Sequence, residues 1–453
     1  MFLFFRNIFV FRSKKGDLFM KTVAYRMEKE IPVIAEADVL VVGGGPGGMS
    51  AAVMAARQGV KVVLAERYGC AGGMASFGEV TPFMANHLHG ETLDRPVFVD
   101  WCRKMWEYRD DEVKEAVFDE KVIPGTRISK DVAMLAMEDL LLEAGVKVIY
   151  HHNLVDVIKD GDRISAAVFS SKSGLCAICA REYVDGTGDG DLAVLAGCDF
   201  EFGNEDGFCQ PMTLCFKLGG VDAARMPDRA GINRLYDEAK AAGEIVCPRE
   251  NVLWFLTLEK DVIHFNTTRI IKKSGVNGLD LSDAEIEGRR QLRDFLKFLR
   301  RHVPGFEHAR IHSIAHHVGI RESRRIIGEC FQTVDDFTTA RKYADGIAKV
   351  RYPIDIHNPS GSGTIIKTLP ETEWYEISFR SLIPKKCSNL LMGCRAISID
   401  HALHSSARVM PPVCSIGQAA GMGAAMAVKA NCAPAGLDGA EVRKNLAAAG
   451  ADL

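Results

Sequence analysis

Residues 37–73 read ADVLVVGGGPGGMSAAVMAARQGVKVVLAERYGCAGG, and the order of residue types in this stretch decides the fold. Residues 38–42 form a short apolar run of the kind that makes a buried parallel strand, and Gly43, Gly45 and Gly48 then give G-x-G-x-x-G where a strand turns into a helix. Gly43 permits the tight turn, Gly45 lets a pyrophosphate approach the backbone, and Gly48 lets the helix pack close to the sheet. The helix N-terminus, with Pro46 and Gly47 in its first turn, supplies an anion site. Residues 50–58 are Ala-rich and helical, Gly59 suits the position after the helix end, and residues 61–65 make a second apolar strand. That strand ends in Glu66, 23 residues after Gly43. A carboxylate at about that spacing meets ribose hydroxyls. Strand, turn, helix, strand and terminal acid in register predict a dinucleotide-binding unit.

Beyond Glu66 the chain continues with Arg67, Tyr68 and a second glycine turn at Gly72, Gly73 and Met74. This resembles the flavoprotein pattern in which such a turn follows the ribose acid, and it favours FAD over NAD.

Composition sets the outer limits. A chain of 453 residues can bury a large core in two or three domains. A formal net charge of -3 gives no global reason to expect nucleic acid or anionic membrane as a partner. The 13 cysteines are scattered, which predicts free thiols in a reducing cytoplasm. Cys176 and Cys179 fall on a predicted strand, where residues three apart point to opposite faces, so they are not expected to act as a pair. No dense C-x-x-C-x-x-C run occurs, and neither an iron-sulfur cluster nor another metal is expected. The opening MFLFFRNIFVF is interrupted by Arg6, has no small-residue cleavage site and is too short to span a bilayer. The preferred reading is a start nearer Met20 or Met27, with a membrane-associating tail as the alternative.

Residues 77–125 show poor periodicity, with Trp101, Trp106 and Tyr108 among charges, and read as an insertion rather than a core element. Ser129 offers an N-cap to a helix over 132–144, ended by Gly145, and a strand over 146–150 follows. Residues 164–170 and 175–184 are two β-like runs forming a hairpin or meander appended to the sheet. Residues 184–198, VDGTGDGDLAVLAGC, carry a strand end and a turn with Asp185, Gly186, Thr187, Gly188 and Asp189. Backbone there can lie against a cofactor, although spacing alone also suits an acidic surface loop. From 216 to about 306 charge rises and glycine thins. Ser282 and Glu285 fit a capping box opening a long amphipathic helix through about His302. In AHHVGIRESRRIIGE, residues 315–329, Arg321 and Arg324 at i, i+3 would share a helical face beside His316 and His317. YPIDIHNPSGSG, residues 352–363, reads as a loop presenting Asp355 and His357. In residues 389–429 a short strand precedes a Gly- and Ala-rich helix opened by Pro411 or Pro412, whose small residues allow close approach to something flat.

Five ordered motifs, VVGGGPGG, VDGTGDGDLA, GIRESRRIIGE, YPIDIHNP and NLLMGCRAIS through RVMPPVCSIGQAAG, resemble the FAD-dependent oxidoreductases related to the flavin-carrying component of heterodisulfide reductase. The resemblance spans residues 37–429. It implies an α/β fold: a Rossmann-like FAD-binding domain, with a parallel sheet, helices and an appended β-meander, plus a second α+β substrate or cap domain. The expected organisation is an N-terminal extension over 1–36, an FAD-binding domain from 37–215 and 381–453 carrying the 77–125 insertion, and a cap over 216–380. Expected FAD contacts are the two glycine turns, Glu66, Arg67, the Asp185 to Asp189 turn, and Gly417 and Gln418. Cys394 stands before Arg395 where the family carries glycine.

The function these features predict is hydride transfer between a small organic substrate, which can be anionic, and flavin N5. His357 or His401 would be the acid/base, since imidazole exchanges protons near neutral pH. Arg321, Arg324 and Arg395 would hold an anionic substrate or the reduced flavin. Two alternatives stand beside it: a flavin electron-transfer protein working with an iron-sulfur protein partner, and an NAD-dependent dehydrogenase. Homo-oligomer formation is compatible with either.

Overall fold

The structure, a computed structural model, describes Val23 and residues 28–108 and 128–453. The proposed start at Met20 or Met27, and the part of the predicted insertion from 109 to 125, lie outside the described residues.

Strand β1 (Val33–Val42) runs into helix α1 (Pro46–Arg57), which returns to β2 (Val62–Ala65). After them come α2 (Val97–Glu107), α3 (Lys130–Glu143), β3 (Lys147–Ile149), β4 (Asn153–Asp160), β5 (Arg163–Ser171) and β6 (Gly174–Asp185). The strands β3, β2, β1 and β6 lie side by side and parallel, with Val39 opposite Val62 and Val42 opposite Asp185. Helices packed against a nearly continuous apolar run explain why this sheet is parallel and buried.

The expected meander exists, but it is not simply appended. The first half of β6 pairs antiparallel with β5, Ala167 opposite Ile178, while β4 pairs outside β5. Its last residues, Tyr183 to Asp185, pair parallel with a C-terminal strand introduced below. One twelve-residue strand is long enough to serve both neighbours, so β6 is a central strand. Cys176 and Cys179 on it are unpaired thiols.

A second correction concerns α2. Trp101 is fully buried, its indole N–H donates to the Ala133 carbonyl at 3.0 Å, and it packs with Phe83 and Phe98 in the main core. The charges around it belong to the opposite face, where Asp100 pairs with Arg57 and Arg103. An amphipathic helix therefore carries Trp101 into the core.

After the short helix α4 (Asp191–Leu195) comes an antiparallel sheet in the order β8, β9, β7, β10: β7 (Phe216–Gly219), β8 (Trp254–Leu256), β9 (Ile263–Phe265) and β10 (Arg310–Ile314). Helices α5 (Arg229–Ala241) and α6 (Gly278–His302) share a core with it, built on Phe216, Tyr236, Phe265, Phe295 and Phe306. The α6 start is one turn earlier than a Ser282 capping box would give. The Asn277 side chain accepts the Leu279 and Asp280 N–H groups, so Ser282 is already inside the helix.

Residues 317–323 are not helical and run into a strand, β11 (Arg324–Ile326), so Arg321 and Arg324 do not share a helical face. The 352–363 segment is not a loop throughout: β12 (Ile354–His357) and β13 (Thr364–Lys367) form a hairpin with its turn at 358–363. Finally β14 (Leu390–Met392), α7 (His401–Ala407) and α8 (Met410–Ala430) follow, with Met392 opposite Asp185. The small residues of α8 approach α1, where Cβ atoms on Gly417 and Gly421 would collide with the carbonyls of Gly47 and Ala51. No described helix is long and apolar enough to cross a membrane.

Candidate functional site

Two glycine turns meet at the C-terminal ends of β1 and β6, the place where open parallel sheets bind ligands. Gly43 has φ +98, and a Cβ on it would lie 2.6 Å from the Gly186 carbonyl carbon. A Cβ on Gly48 would strike the Gly43 carbonyl, so α1 can start this close to the sheet only with glycine there. Gly45 is different, because a Cβ on it would meet nothing within 4 Å. Helix α1 has no side-chain N-cap, so the N–H groups of its first turn face an open cradle at the positive end of the helix dipole. That combination fits a pyrophosphate. Gly73 closes the cradle, its Cβ position lying 3.1 Å from the Gly45 Cα.

The cleft so formed encloses about 1020 Å³, its open mouth included. Of the residues expected at the cofactor, Gly43, Gly45, Pro46, Gly47, Glu66 and Arg67 line it, as do Gly73, Met74, Gly186, Thr187, Gly188 and Asp189. Glu66 is buried, one carboxylate oxygen accepting the Gly44 N–H at 2.6 Å and the other the Tyr68 N–H at 2.9 Å. Each oxygen keeps a lone pair for a ribose hydroxyl.

Five residues expected at the cofactor do not line the cleft. Gly48 and Gly72 shape the turns behind it. Asp185 folds the second turn: it accepts the Thr187 N–H at 3.0 Å and hydroxyl at 2.6 Å, and the Ala193 N–H at 3.0 Å. Burial pushes its carboxyl up to about 6 against those bonds. Gly417 touches α1, and Gln418 binds the Arg95 carbonyl and the Val97 N–H. The small residues of α8 thus pack on α1, while Met410 and Val413 at its start line the cleft.

Several lining residues carry no local signal. Tyr68 stacks near Phe77 and His317, with centroids 4.2 and 5.4 Å away, and Arg67 lies over its ring. His152, Asn153 and Leu154 enter from the start of β4. They meet the glycine turns only through tertiary structure.

A second cavity, about 1350 Å³, adjoins the cleft, and Met74, Ile320, Arg395, Arg408 and Met410 border both. Its walls mix apolar groups, among them Val80, Pro82, Met84 and Phe255, with Arg249, Glu250, Arg321, Tyr352, Asp355 and His357. Arg321 donates to the Pro211 carbonyl at 2.6 Å, the Thr213 hydroxyl at 2.5 Å and the Asn266 side chain at 3.3 Å. Burial, then the Arg408 and Arg249 guanidiniums, lower its pKa, with Asp355 opposing them. Arg395 donates to Asp189 at 2.6 Å and so ties the C-terminal segment to the Asp185 to Asp189 turn.

His357 is nine-tenths buried, and its Nδ1 accepts from the Arg269 guanidinium at 3.0 Å. An acceptor Nδ1 fixes the neutral Nε2–H tautomer, which points to Asp355 at 3.5 Å. That contact is therefore a weak hydrogen bond and not an ion pair. Burial, then Arg321, lower the imidazole to about 3, although Asp355 opposes them. The expectation of an imidazole titrating near neutrality is thus corrected for His357. Asp355 is held ionised despite burial by His357, Arg408 and Arg321, and accepts from the Tyr352 hydroxyl at 3.1 Å.

Two other candidates are elsewhere. Arg324 clamps the Asp185 to Asp189 turn from outside, donating to Asp191 at 2.7 Å and the Asp189 carbonyl at 3.1 Å. His401 Nδ1 lies 2.7 Å from the buried Glu322, which also takes Arg325. Neither lines either cavity.

A family model described as FAD dependent oxidoreductase matches residues 38–446. No curated protein matches the chain significantly. Among solved structures, the chain is similar to a geranylgeranyl bacteriochlorophyll reductase-like protein from Thermoplasma acidophilum, at 14% identity over 92% of this chain and 83% of that one, with a TM-score of 0.43. It is also similar to the myxobacterial chondrochloren halogenase, at 15% identity over 91% of this chain and 78% of that one, with a TM-score of 0.44. A flavin-dependent brominase gives 14% identity over 91% and 83%, with a TM-score of 0.42.

Proposed function

The chain belongs to the FAD dependent oxidoreductase family, and from that premise we propose that it moves a hydride between a small anionic organic substrate and N5 of the flavin. The observation that carries this reading is the shared border of the two cavities at Met74, Ile320, Arg395, Arg408 and Met410, which would set a substrate in the outer cavity beside the cofactor. Once bound, FAD supplies a two-electron acceptor and donor. The uncapped start of α1 and the Gly45 cradle would hold its pyrophosphate, and Glu66 its ribose. Arg321, fixed by three oxygen acceptors, would orient an acidic group of the substrate. Tyr352 and the His357 Nε2–H present protons around Asp355 and would position a polar group there. The apolar wall of Val80, Pro82 and Met84 would exclude water from the reacting atoms.

The five motifs further support placing the chain near the flavin-carrying component of heterodisulfide reductase within the family, and a redox protein partner is part of that proposal. Anaerobic mixing of the yellow holoenzyme with a panel of hydroxy, amino and unsaturated organic acids tests the reading. Bleaching by an acid, or reoxidation of the reduced enzyme by an unsaturated one, is expected. If no acid reacts in either direction while a reduced iron-sulfur protein bleaches the flavin, the enzyme is an electron carrier instead.

A further inference from the structure

The charges of the outer cavity do not balance. Four arginines line it: Arg249, Arg321, Arg395 and Arg408. Arg395 is matched by Asp189 at 2.6 Å, and Glu250 on the wall is matched by the buried Arg269 at 2.7 Å. His357 is neutral because its Nδ1 accepts from Arg269. What remains is Arg249, Arg321 and Arg408 facing the single carboxylate of Asp355. Among the described residues none of these three has a carboxylate within 4 Å. Among the described residues Arg249, nine-tenths buried, donates only through Nε to Asn251 at 3.2 Å, while Arg408 reaches the Gln210 amide oxygen at 3.4 Å and the Asp355 carbonyl at 3.5 Å. Guanidiniums desolvated together without counter-charge repel one another, and a ligand that supplies the missing charge relieves the cost.

We propose that the substrate is a dianion on an apolar body: a dicarboxylate, or an organic acid bearing a second acidic group, with its hydrocarbon part against Val80, Met84, Leu253 and Phe255. Two excess positive charges beside a neutral oxidised flavin call for two negative ones. The inference rests on the functional reading above only in taking this cavity as the substrate's.

The test uses oxidised holoenzyme and two matched pairs of probes, adipate against hexanoate and isophthalate against benzoate, with the neutral hexanamide as control. Binding is read from the change in the flavin absorption spectrum and from the shift in melting temperature. Each dianion is expected to bind at least tenfold more tightly than its monoanion at low salt, and to lose affinity more steeply as NaCl is raised. Arg249→Gln, which keeps a donor to Asn251, should reduce the preference to threefold or less. The salt series on the unaltered enzyme decides the matter if that variant does not fold. Equal binding of monoanion and dianion, tighter binding of hexanamide, or no binding by any probe overturns the dianion. The functional reading is judged separately: bleaching by monoanionic acids without a dianion preference sinks this inference alone, and only the failure of every acid to exchange electrons with the flavin sinks both.

Discussion

Gly417 of α8 lies so close to the Gly47 carbonyl of α1 that a β-carbon at 417 would collide with it. The contact is backbone against backbone, so no side-chain rotation can relieve it. Gly417→Ala should therefore cost at least the 1–3 kcal/mol typical of overpacking, lowering the melting temperature of the apoprotein. Gly45→Ala should leave the fold undisturbed. Gly45 has φ -70, which alanine adopts without strain, and its Cβ would enter open space, so the apoprotein should keep its melting temperature. That methyl group would, however, fill the cradle and deplete the protein of FAD. Melting curves and flavin content of both variants check the pair. Full FAD in Gly45→Ala would move the pyrophosphate elsewhere.

That contrast also shows what the sequence could and could not reveal. The first glycine turn and Glu66 were legible because strand, turn, helix and acid are contiguous and each position has a local geometric reason. The order of the last motif was legible too, but its small residues were ambiguous, since Gly and Ala permit close approach to a ring or to a helix alike. Arg321 and Arg324 misled for a related reason. Spacing of three implies a shared face only within a helix, and here residues 321–323 are not helical and Arg324 opens a strand. The Arg269 guanidinium that keeps His357 neutral comes from 88 residues away in the chain, and no local pattern encodes that pairing.

Glu66 has two tasks that mutation can separate. Its carboxylate takes the Gly44 and Tyr68 N–H groups, holding the first glycine turn against the chain just after β2, and it offers remaining lone pairs to a ribose. Glu66→Ala should leave those N–H groups without their acceptor, at about 1–3 kcal/mol for each buried unsatisfied group. Unfolding of apoprotein by urea should show a lower midpoint, and FAD affinity should fall further than stability alone explains. Glu66→Gln, which retains one acceptor oxygen, should lie between. An unchanged apoprotein midpoint in Glu66→Ala would mean that the carboxylate does not hold the first glycine turn.

Arg321 and Arg324 should part ways. Arg324 binds Asp191 and the Asp189 carbonyl on the outer side of the Asp185 to Asp189 turn, so Arg324→Ala should release FAD several-fold more readily while leaving organic-acid binding to the remaining holoenzyme unchanged. Its partner Asp191 is 39% exposed, which keeps the effect modest. Arg321→Ala should retain FAD and weaken reduction by an acidic substrate by about 10- to 100-fold, as expected for losing a charge-assisted hydrogen bond of about 1.5–3 kcal/mol. Equal effects of the two substitutions on substrate reduction would contradict the placement of Arg324 outside the cavity.

His357 should behave as a fixed donor in the neutral range. Its imidazole, lowered to about 3 by burial and by Arg321, stays neutral at every pH where the enzyme would be assayed, so it should contribute no inflection to the reductive rate between pH 6 and 8. The consequence for stability has a definite sign. Because the folded-state value lies below the unfolded value of about 6.5, the unfolded chain binds the proton more readily. The contribution of neutral His357 is thus present above about pH 6.5 and is lost as pH falls from there toward 3. His357→Gln can keep both hydrogen bonds, its carbonyl oxygen accepting from Arg269 and its amide donating toward Asp355, but it cannot titrate. Urea midpoints of wild type and His357→Gln should therefore diverge in the variant's favour on acidification below pH 6.5, other buried groups cancelling in the difference. At neutral pH the variant should reduce within about tenfold of wild type. A loss of roughly 10²- to 10⁴-fold, the range for removing a general acid or base, would instead show that bound substrate restores the imidazole to proton transfer.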